Sequence, residues 1–247
     1  MPLCGLTSSA SSPHEQSNNS GYSNRLSHTF SAGDLGSRTG KPLSRKVVVI
    51  GDGACGKTSL LNVFVNGEFP HVYEPTVFEN HVAEMVIDGV PIELALWDTA
   101  GQEDFARLRS LSYPDTHVIL LCFAIDQPVS LENVESKWVD ELMEHLPGVK
   151  ICLVALKCDL REDLRTREKL ERTGHGPVEY DEGLNVARRI RASRYLECSA
   201  KEDRGVREAF EEAARVAIIA RRKGETRGSR PDGHASGGSS GGSCVIA

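Results

Sequence analysis

The residues with the clearest chemical signature are residues 51–58, GDGACGKT, which match the phosphate-binding pattern G-x-x-x-x-G-K-[ST]. An apolar, β-branched run precedes them and a helix-forming run follows, so the motif lies where a strand passes into a helix. Gly51 and Gly56 permit a tight turn whose N–H groups approach an anion, and the helix dipole adds to that field. We expect Lys57 to reach the β- and γ-phosphates of a nucleoside triphosphate and Thr58 to hold Mg²⁺.

A second group of candidate residues follows another apolar strand, in the sequence DTAGQ. Asp98 at the end of that strand is the second Mg²⁺ anchor expected beside a phosphate loop. Gly101 suits a backbone N–H that must approach the γ-phosphate, and Gln102 is placed to orient a water molecule. Without the phosphate loop this stretch would be an ordinary turn; with it, the two stretches predict phosphoryl chemistry.

The elements that must position these groups alternate between strand and helix. Alternating residues at 78–87 and 90–97, joined by Asp88-Gly89, predict a β-hairpin. Further strands are predicted at 117–124, 150–156 and 194–197, and helices at 130–145, 180–191 and 205–222. Ser130 begins the first of these helices as a capping residue. The pattern predicts an α/β fold of the P-loop NTPase type, with a mostly parallel six-stranded sheet, one antiparallel edge hairpin strand and helices on both faces.

The carboxyl ends of parallel strands meet at one edge of a sheet, where ligands bind. The phosphate loop, Asp98, Asp159 and Ser199 each follow a predicted strand. This agreement among four separate stretches predicts that all of them belong to a single site.

Residues 160–172 form a densely charged insertion with opposite charges at helical spacing, such as Glu168 and Arg172. We predict a short, solvent-exposed helix. Two interpretations stay open at this point: a solvated surface excursion, or a module that binds a partner.

The composition is that of a soluble protein: 247 residues with a formal net charge of −6. The negative charge gives no general attraction to nucleic acid. The sequence contains no apolar stretch near the roughly 18 residues of a membrane span and no secretory signal. Its seven cysteines lack metal-ligand spacing and are expected to be reduced thiols.

The two ends of the chain differ from its centre. Residues 1–44 are rich in Ser, Asn, Gly and Thr and predict a disordered extension, and residues 223–247 predict a flexible tail. The last four residues, CVIA, form a C-a-a-X motif that predicts lipidation of Cys244, with farnesyl favoured by the terminal Ala. Basic residues between 221 and 230 supply a weak second attraction to an anionic membrane.

Five stretches together resemble the Rho family of Ras-like small GTPases. They are GDGACGKT at 51–58, YEPTVFEN at 73–80, WDTAGQED at 97–104, KCDL at 157–160 and ECSAK at 197–201. The resemblance covers residues 45–222, taken as the GTPase domain, and the charged insertion resembles the extra helix of Rho proteins. A long N-terminal extension is similar to that of some fungal Rho proteins.

The resemblance implies roles for individual residues. Thr76 is the mobile Mg²⁺ ligand of the first switch loop, Asp98 meets Mg²⁺ through water, and Phe69 packs beside the guanine. Asp159 accepts hydrogen bonds from the guanine N1–H and 2-amino groups, and Lys157 lies over the base. The full set implied to bind nucleotide is Gly51, Asp52, Gly53, Ala54, Cys55, Gly56, Lys57, Thr58, Ser59, Phe69, Tyr73, Thr76, Asp98, Gly101, Lys157, Asp159, Ser199, Ala200 and Lys201.

One position departs from the family pattern. The base-recognition motif Asn-Lys-x-Asp here reads Leu156-Lys157-Cys158-Asp159, and Leu156 lacks the amide that an Asn would supply. The departure affects the expected strength of guanine binding.

The sequence therefore predicts a GDP/GTP switch that hydrolyses GTP with Gln102, Lys57 and Gly101 in catalytic roles. Residues 68–80 contain no Arg, so an activating protein is expected to supply one. Exchange factors, a dissociation inhibitor and effectors such as kinases or formins are expected to contact 68–80 and 98–112 of a monomer. The expected location is the cytoplasmic side of membranes, mainly the plasma membrane, with a cytosolic pool. The rival hypotheses are a constitutive GTP-binding module and a P-loop kinase or ATPase.

Overall fold

The computed structural model describes residues 41–72, 75–76 and 78–220, and the description below is restricted to them. The expectations for residues 1–40, 221–247 and Tyr73 lie outside these ranges and stay predictions. None of the described helices combines the length and apolar character needed to cross a bilayer.

A single six-stranded sheet with the spatial order β2-β3-β1-β4-β5-β6 forms the centre of the fold. Five strands run parallel, and β2 pairs antiparallel with β3 at one edge, as the sequence predicted. The strands are β1 (Leu43–Gly51), β2 (Phe78–Ile87), β3 (Val90–Thr99), β4 (Val118–Ala124), β5 (Lys150–Leu156) and β6 (Arg194–Glu197).

Helices cover both faces of the sheet. They are α1 (Lys57–Asn66), α2 (Ala106–Ser110), α3 (Pro128–Asn133), α4 (Val139–His145), α5 (Leu164–Glu171), α6 (Tyr180–Arg189) and α7 (Val206–Ile219). A π turn, Val134–Trp138, joins α3 to α4 without interrupting the helix, and 3₁₀ turns occupy Glu103–Phe105 and Cys158–Arg161.

Successive residues of the buried central strands point to opposite faces of the sheet and build two cores. Val47 and Val49 of β1 face α1 and α7, where Phe64 and Phe210 stack with ring centroids 3.9 Å apart. Val48 of the same strand belongs to the opposite core, under the π turn and α6. Both cores hold the central strands rigidly, so the loops at their carboxyl ends have fixed starting points.

Two local expectations need correction or refinement. The helix predicted to begin at Ser130 begins at Pro128, and Ser130 is not its cap: its hydroxyl donates to Gln127 O and accepts from Ala124 N. Pro at the first helical position is itself a start signal, since its fixed φ suits the helix and its missing N–H is not needed there. The charged insertion does form a short helix, α5, whose cap Asp163 accepts from Thr166 N.

Candidate functional site

The phosphate-binding loop has a backbone conformation that only particular residues permit. Gly51 has φ 143°, and a Cβ there would lie 2.1 Å from Cys122 O of the neighbouring strand. Gly56 has φ 109° and caps the N-terminus of α1 in the left-handed region. The loop thus turns directly from β1 into the positive end of a helix dipole, a geometry suited to an anion.

The Lys57 side chain folds back over this loop and is 5% exposed. Its Nζ donates to Gly51 O at 2.9 Å and to Asp52 O at 2.8 Å. Backbone carbonyls fix the direction of the ammonium group but do not neutralise it. A full positive charge therefore lies beside the loop amides.

The Asp52 carboxylate, in contrast, is turned away from the loop's concave side toward the helix that follows β4. It accepts from Asn133 Nδ2 at 2.7 Å and from Trp138 Nε1 at 2.7 Å. Asp52 was predicted among the nucleotide-binding residues; the structure gives its side chain the task of anchoring the loop and leaves its backbone at the site.

Three side-chain oxygen groups meet beside the loop. Thr58 donates to Asp98 Oδ2 at 2.6 Å, and the Thr76 hydroxyl lies 2.5 Å from that of Thr58. Because Thr58 has one hydroxyl hydrogen, Thr76 is the donor in the second contact. Asp98 Oδ1 is buried with no hydrogen-bond partner in the described part of the chain. Burial raises the pKa of Asp98 to about 6, against the lowering effects of the Thr58 hydrogen bond and the Lys57 charge.

This donor set fits Mg²⁺. The unpartnered carboxylate oxygen and the two hydroxyl groups are hard oxygen donors, and Mg²⁺ prefers such donors together with water and phosphate oxygens. The residues that converge here, Thr58, Thr76 and Asp98, are those predicted from the sequence.

Gly101 and Gln102 lie directly against the phosphate loop. A Cβ on Gly101 would lie 2.3 Å from Gly53 N and 2.4 Å from Gly51 O, so only a glycine fits there. The Gln102 side chain passes within 3.6 Å of the position that a Gly53 Cβ would occupy. The predicted water-orienting group thus lies over the loop's first turn.

Two adjoining cavities open at this edge of the sheet. The larger, of about 660 Å³, extends from the phosphate loop past Phe69 and Thr76 to Gln102. The smaller, of about 160 Å³, continues beyond Gly56 and is mostly apolar. Its lining residues are Gly56, Ser59, Phe69, Leu156, Lys157, Asp159, Leu160, Ala200 and Lys201. The predicted base-recognition residues therefore surround one pocket, with Ser199 buried behind it.

The smaller cavity is supported by ion pairs that sequence inspection missed. Lys157 adopts φ 61° and its Nζ lies 3.1 Å from Asp126 Oδ1. Arg161 donates to both carboxylate oxygens of Glu197, at 2.8 and 2.7 Å. Glu197 precedes the loop that carries Ser199, so this pair ties together the two loops predicted to recognise the base.

Leu156 lines the smaller cavity, beside Gly56, which lines both cavities. It is 2% exposed, and its Cδ1 lies 3.6 Å from the Cβ position at Gly56. An apolar contact therefore supports the phosphate loop where the family pattern has an amide.

A third, partly buried ion pair supports the loop around Gly101. Arg109 and Glu141 form two hydrogen bonds of 2.8 Å, although 32 positions separate them in the sequence. No local spacing signals such a pair.

A phosphate loop, a cluster of side-chain oxygens and an adjoining apolar pocket define a P-loop nucleoside-triphosphate-binding protein. A family model described as the Ras family matches residues 46–219. GTP-binding protein RHO3 of Eremothecium gossypii is 51% identical over 259 aligned residues, covering 100% of both chains.

Two further relatives support the same placement. GTP-binding protein rho3 of Schizosaccharomyces pombe is 55% identical over 208 residues, 84% of this chain and 96% of its own. GTP-binding protein Rho3 of Schizophyllum commune is 62% identical over 186 residues, 75% of this chain and 90% of its own. The chain belongs to the Rho GTPases of the Ras family. It is a small GTPase that switches between GDP- and GTP-bound states.

Proposed function

We propose that GTP lies with its triphosphate along residues 51–58, and that Thr58, Thr76 and Asp98, the last through water, hold Mg²⁺ beside it. The observation that carries this proposal is the unpartnered Asp98 Oδ1 next to two converging hydroxyl groups. When bound, Mg²⁺ offsets the charge that develops between the β- and γ-phosphate oxygens. Loop amides and Lys57 bind the phosphate oxygens themselves.

Hydrolysis proceeds by in-line attack of water on the γ-phosphate, with the protein contributing position and charge. Gln102 orients the water, the Gly101 N–H meets the γ-phosphate, and Lys57 stabilises charge on its oxygens. The contact of Gly101 with the phosphate loop supports this assignment, because it brings the water-orienting residue to the same place. An Arg supplied by an activating protein completes the site.

Replacing Gln102 with Leu tests the assignment. The variant should bind GTP and GDP nearly as wild type does, since Gln102 is assigned only to the attacking water, and should hydrolyse GTP more slowly. Single-turnover hydrolysis of preloaded protein, with and without an activating protein, measures the effect. Wild-type rates in both conditions would remove Gln102 from the mechanism, whereas negligible hydrolysis by the wild-type protein itself would favour the constitutive-binding hypothesis.

Guanine selectivity resides in the smaller cavity. Asp159 accepts from two donors of the guanine edge, Lys157 and Phe69 flank the ring, and residues 199–201 close the pocket around O6. A site built on such hydrogen bonds rejects an analogue that lacks the donors. Competition between GTP and ATP for the purified protein tests this: equal competition would contradict the assignment and favour an ATPase.

Regulators and effectors bind through residues 68–80 and 98–112. Within these segments Val72, Leu108 and Leu111 are exposed despite being apolar, at 73%, 39% and 70%. Exposed apolar side chains next to the triphosphate site suit partners that sense its occupant. The expected outputs are actin, polarity, septation or cell-wall control. Capture of binding proteins by the Gln102→Leu variant but not by the GDP form would identify them.

Membrane attachment depends on Cys244, outside the described residues. A farnesyl group there, with the basic residues of 221–230, gives reversible binding, because one prenyl chain is a marginal anchor. We expect a protein divided between the cytoplasmic face of the plasma membrane and the cytosol, and extractable by a dissociation inhibitor. Fractionation of a Cys244→Ser variant checks this, and unchanged membrane association would exclude the lipid.

A further inference from the structure

Arg109 touches the backbone on both sides of Gly101. Its Nη1 donates to Ala100 O at 2.7 Å and lies 3.4 Å from Gln102 O. The side chain is almost fully buried, at 2% exposure, in a position where a charged group is rarely found unless it is paired. Arg109 is thus a buried cation aimed at the loop that carries the water-orienting residue.

Glu141 of α4 fixes the direction of this cation. Its two carboxylate oxygens each accept from the guanidinium at 2.8 Å, and the Tyr113 hydroxyl also donates to it. The guanidinium carbon lies 4.7 Å from the ring centroid of Trp138. A planar guanidinium held at two edges and over one face has little freedom to rotate. Although burial acts to raise the pKa of Glu141, hydrogen bonds from Arg109 and Tyr113 hold it below its usual value, so the carboxyl stays charged near neutral pH.

The continuous helix from α3 to α4 contacts both Arg109 and the phosphate loop. Trp138, at the end of the π turn, donates from Nε1 to Asp52 and presents its ring face to Arg109. Asn133 supplies the second bond to Asp52. One indole therefore contacts the phosphate loop directly and the loop around Gly101 through the Arg109 guanidinium. π turns inside α-helices are frequent at functional sites.

We propose that Arg109 and Glu141 are positioning residues for GTP hydrolysis, through which α4 keeps the backbone around Gly101 and Gln102 aligned with the phosphate loop. The proposal rests on the proposed role of Gln102. The net stabilisation by a buried ion pair is small or uncertain, whereas the geometry of this pair fixes the direction of a cation that bonds to the backbone on both sides of Gly101. A displacement of about 1 Å near reacting atoms can lower a rate about 100-fold, so a rigid support at this point has direct kinetic value.

Two substitutions test the pair. Glu141→Gln keeps the shape and removes the charge, and Arg109→Lys keeps the charge but cannot reach Glu141 and Ala100 together. We expect single-turnover GTP hydrolysis to fall about tenfold in the first and further in the second, as the loop loses its fixed alignment. GDP dissociation should stay within about twofold of wild type, since neither residue touches the nucleotide.

Glu135→Gln is the matched control. It removes the charge from another two-bond pair made by the same continuous helix, the exposed contact of Glu135 with Arg189 of α6 at 2.7 Å. The control should hydrolyse GTP at the wild-type rate. A similar loss in this control, or wild-type hydrolysis by folded, nucleotide-loaded Glu141→Gln and Arg109→Lys, would overturn the proposal.

Comparison with Gln102→Leu distinguishes failure of the positioning role from failure of the proposed function. If Gln102→Leu leaves hydrolysis unchanged, the role of Gln102 is wrong. If Gln102→Leu abolishes hydrolysis while the Arg109 and Glu141 variants retain it, only the positioning role is wrong. Falling hydrolysis together with rapid GDP loss would indicate general damage to the site and also count against positioning.

Discussion

At the scale of single residues, the contact between Gly53 and Gln102 leaves room for one carbon and no more. A Cβ at position 53 would lie 3.6–3.7 Å from the Gln102 side chain, an ordinary contact distance. The branched Val side chain would exceed that space. Gln102 would then leave its position over the loop.

Gly53→Val should therefore slow GTP hydrolysis about tenfold or more, because the water-orienting group is displaced while the loop amides and Lys57 are not. GTP and GDP affinity should change little. Gly53→Ala, whose Cβ fits, should lose less activity than the Val variant. Single-turnover assays of both variants decide the matter, and equal rates for Val and wild type would show that Gln102 has space to move.

At this scale the sequence predicted that Thr58, Thr76 and Asp98 lie close together, and their side-chain oxygens do so. It could not reveal the orientation of the Asp52 side chain. Its partners Asn133 and Trp138 lie 81 and 86 positions away and are defined only by the packed fold. Motif matching assigns every residue of a loop to the ligand, whereas some of them hold the loop in place.

At the scale of elements, the sequence predicts the ends of a strand well where an apolar run is bounded by polar residues. β5 and β6 occupy the predicted ranges. The start of α3 was misplaced because Ser130 looks like a cap, and only the structure shows that its hydroxyl bonds to Ala124 and Gln127. Side-chain hydrogen bonding to nearby backbone competes with capping, and spacing alone does not distinguish the two.

The packing of α6 on β6 provides an element-scale prediction. Gly183 lies within α6, and a Cβ there would lie 2.1 Å from the Tyr195 hydroxyl oxygen and 2.6 Å from its Cζ. Gly183→Ala should destabilise the fold by about 1–3 kcal/mol through overpacking, although helix propensity alone would favour Ala by up to about 1 kcal/mol.

Urea unfolding at fixed nucleotide and Mg²⁺ concentration measures this change. Tyr195→Leu removes the clashing ring. Gly183→Ala should therefore cost less stability when it is added to the Tyr195→Leu variant than when it is added to the wild type. Additive effects of the two substitutions would mean that Gly183 and Tyr195 do not compete for the same space.

At the scale of the whole molecule, two half-buried carboxylates link distant parts of the chain and make stability depend on pH. Burial acts to raise the pKa of Glu141 and Glu197, but the hydrogen bonds from Arg109 and Arg161 outweigh it and hold both values below normal. The unfolded chain thus takes up protons first on acidification. Their stabilisation is complete above the unfolded pKa of about 4.3 and is lost as pH falls through the lower folded values.

Wild-type stability should accordingly decline below about pH 4.5 more steeply than that of a Glu197→Gln variant, which has one such carboxylate fewer. The variant should be less stable at pH 7, because Arg161 then lacks its charged partner. Urea midpoints measured between pH 7 and pH 3.5 provide the comparison. Parallel curves for the two proteins would show that Glu197 titrates alike in the folded and unfolded chain.

The π turn, finally, sets limits on how the length of this protein can change. It adds a residue to the helix between Asn133 and Glu141, and both ends of that stretch hold a loop of the site. Deleting a residue from one of the regular helical turns next to it would rotate everything downstream by about 100°, carrying Glu141 away from Arg109. Insertions and deletions should therefore be tolerated in the surface turns around α5 and purged from the α3–α4 helix, so that chain length is under selection there independently of the identity of any side chain.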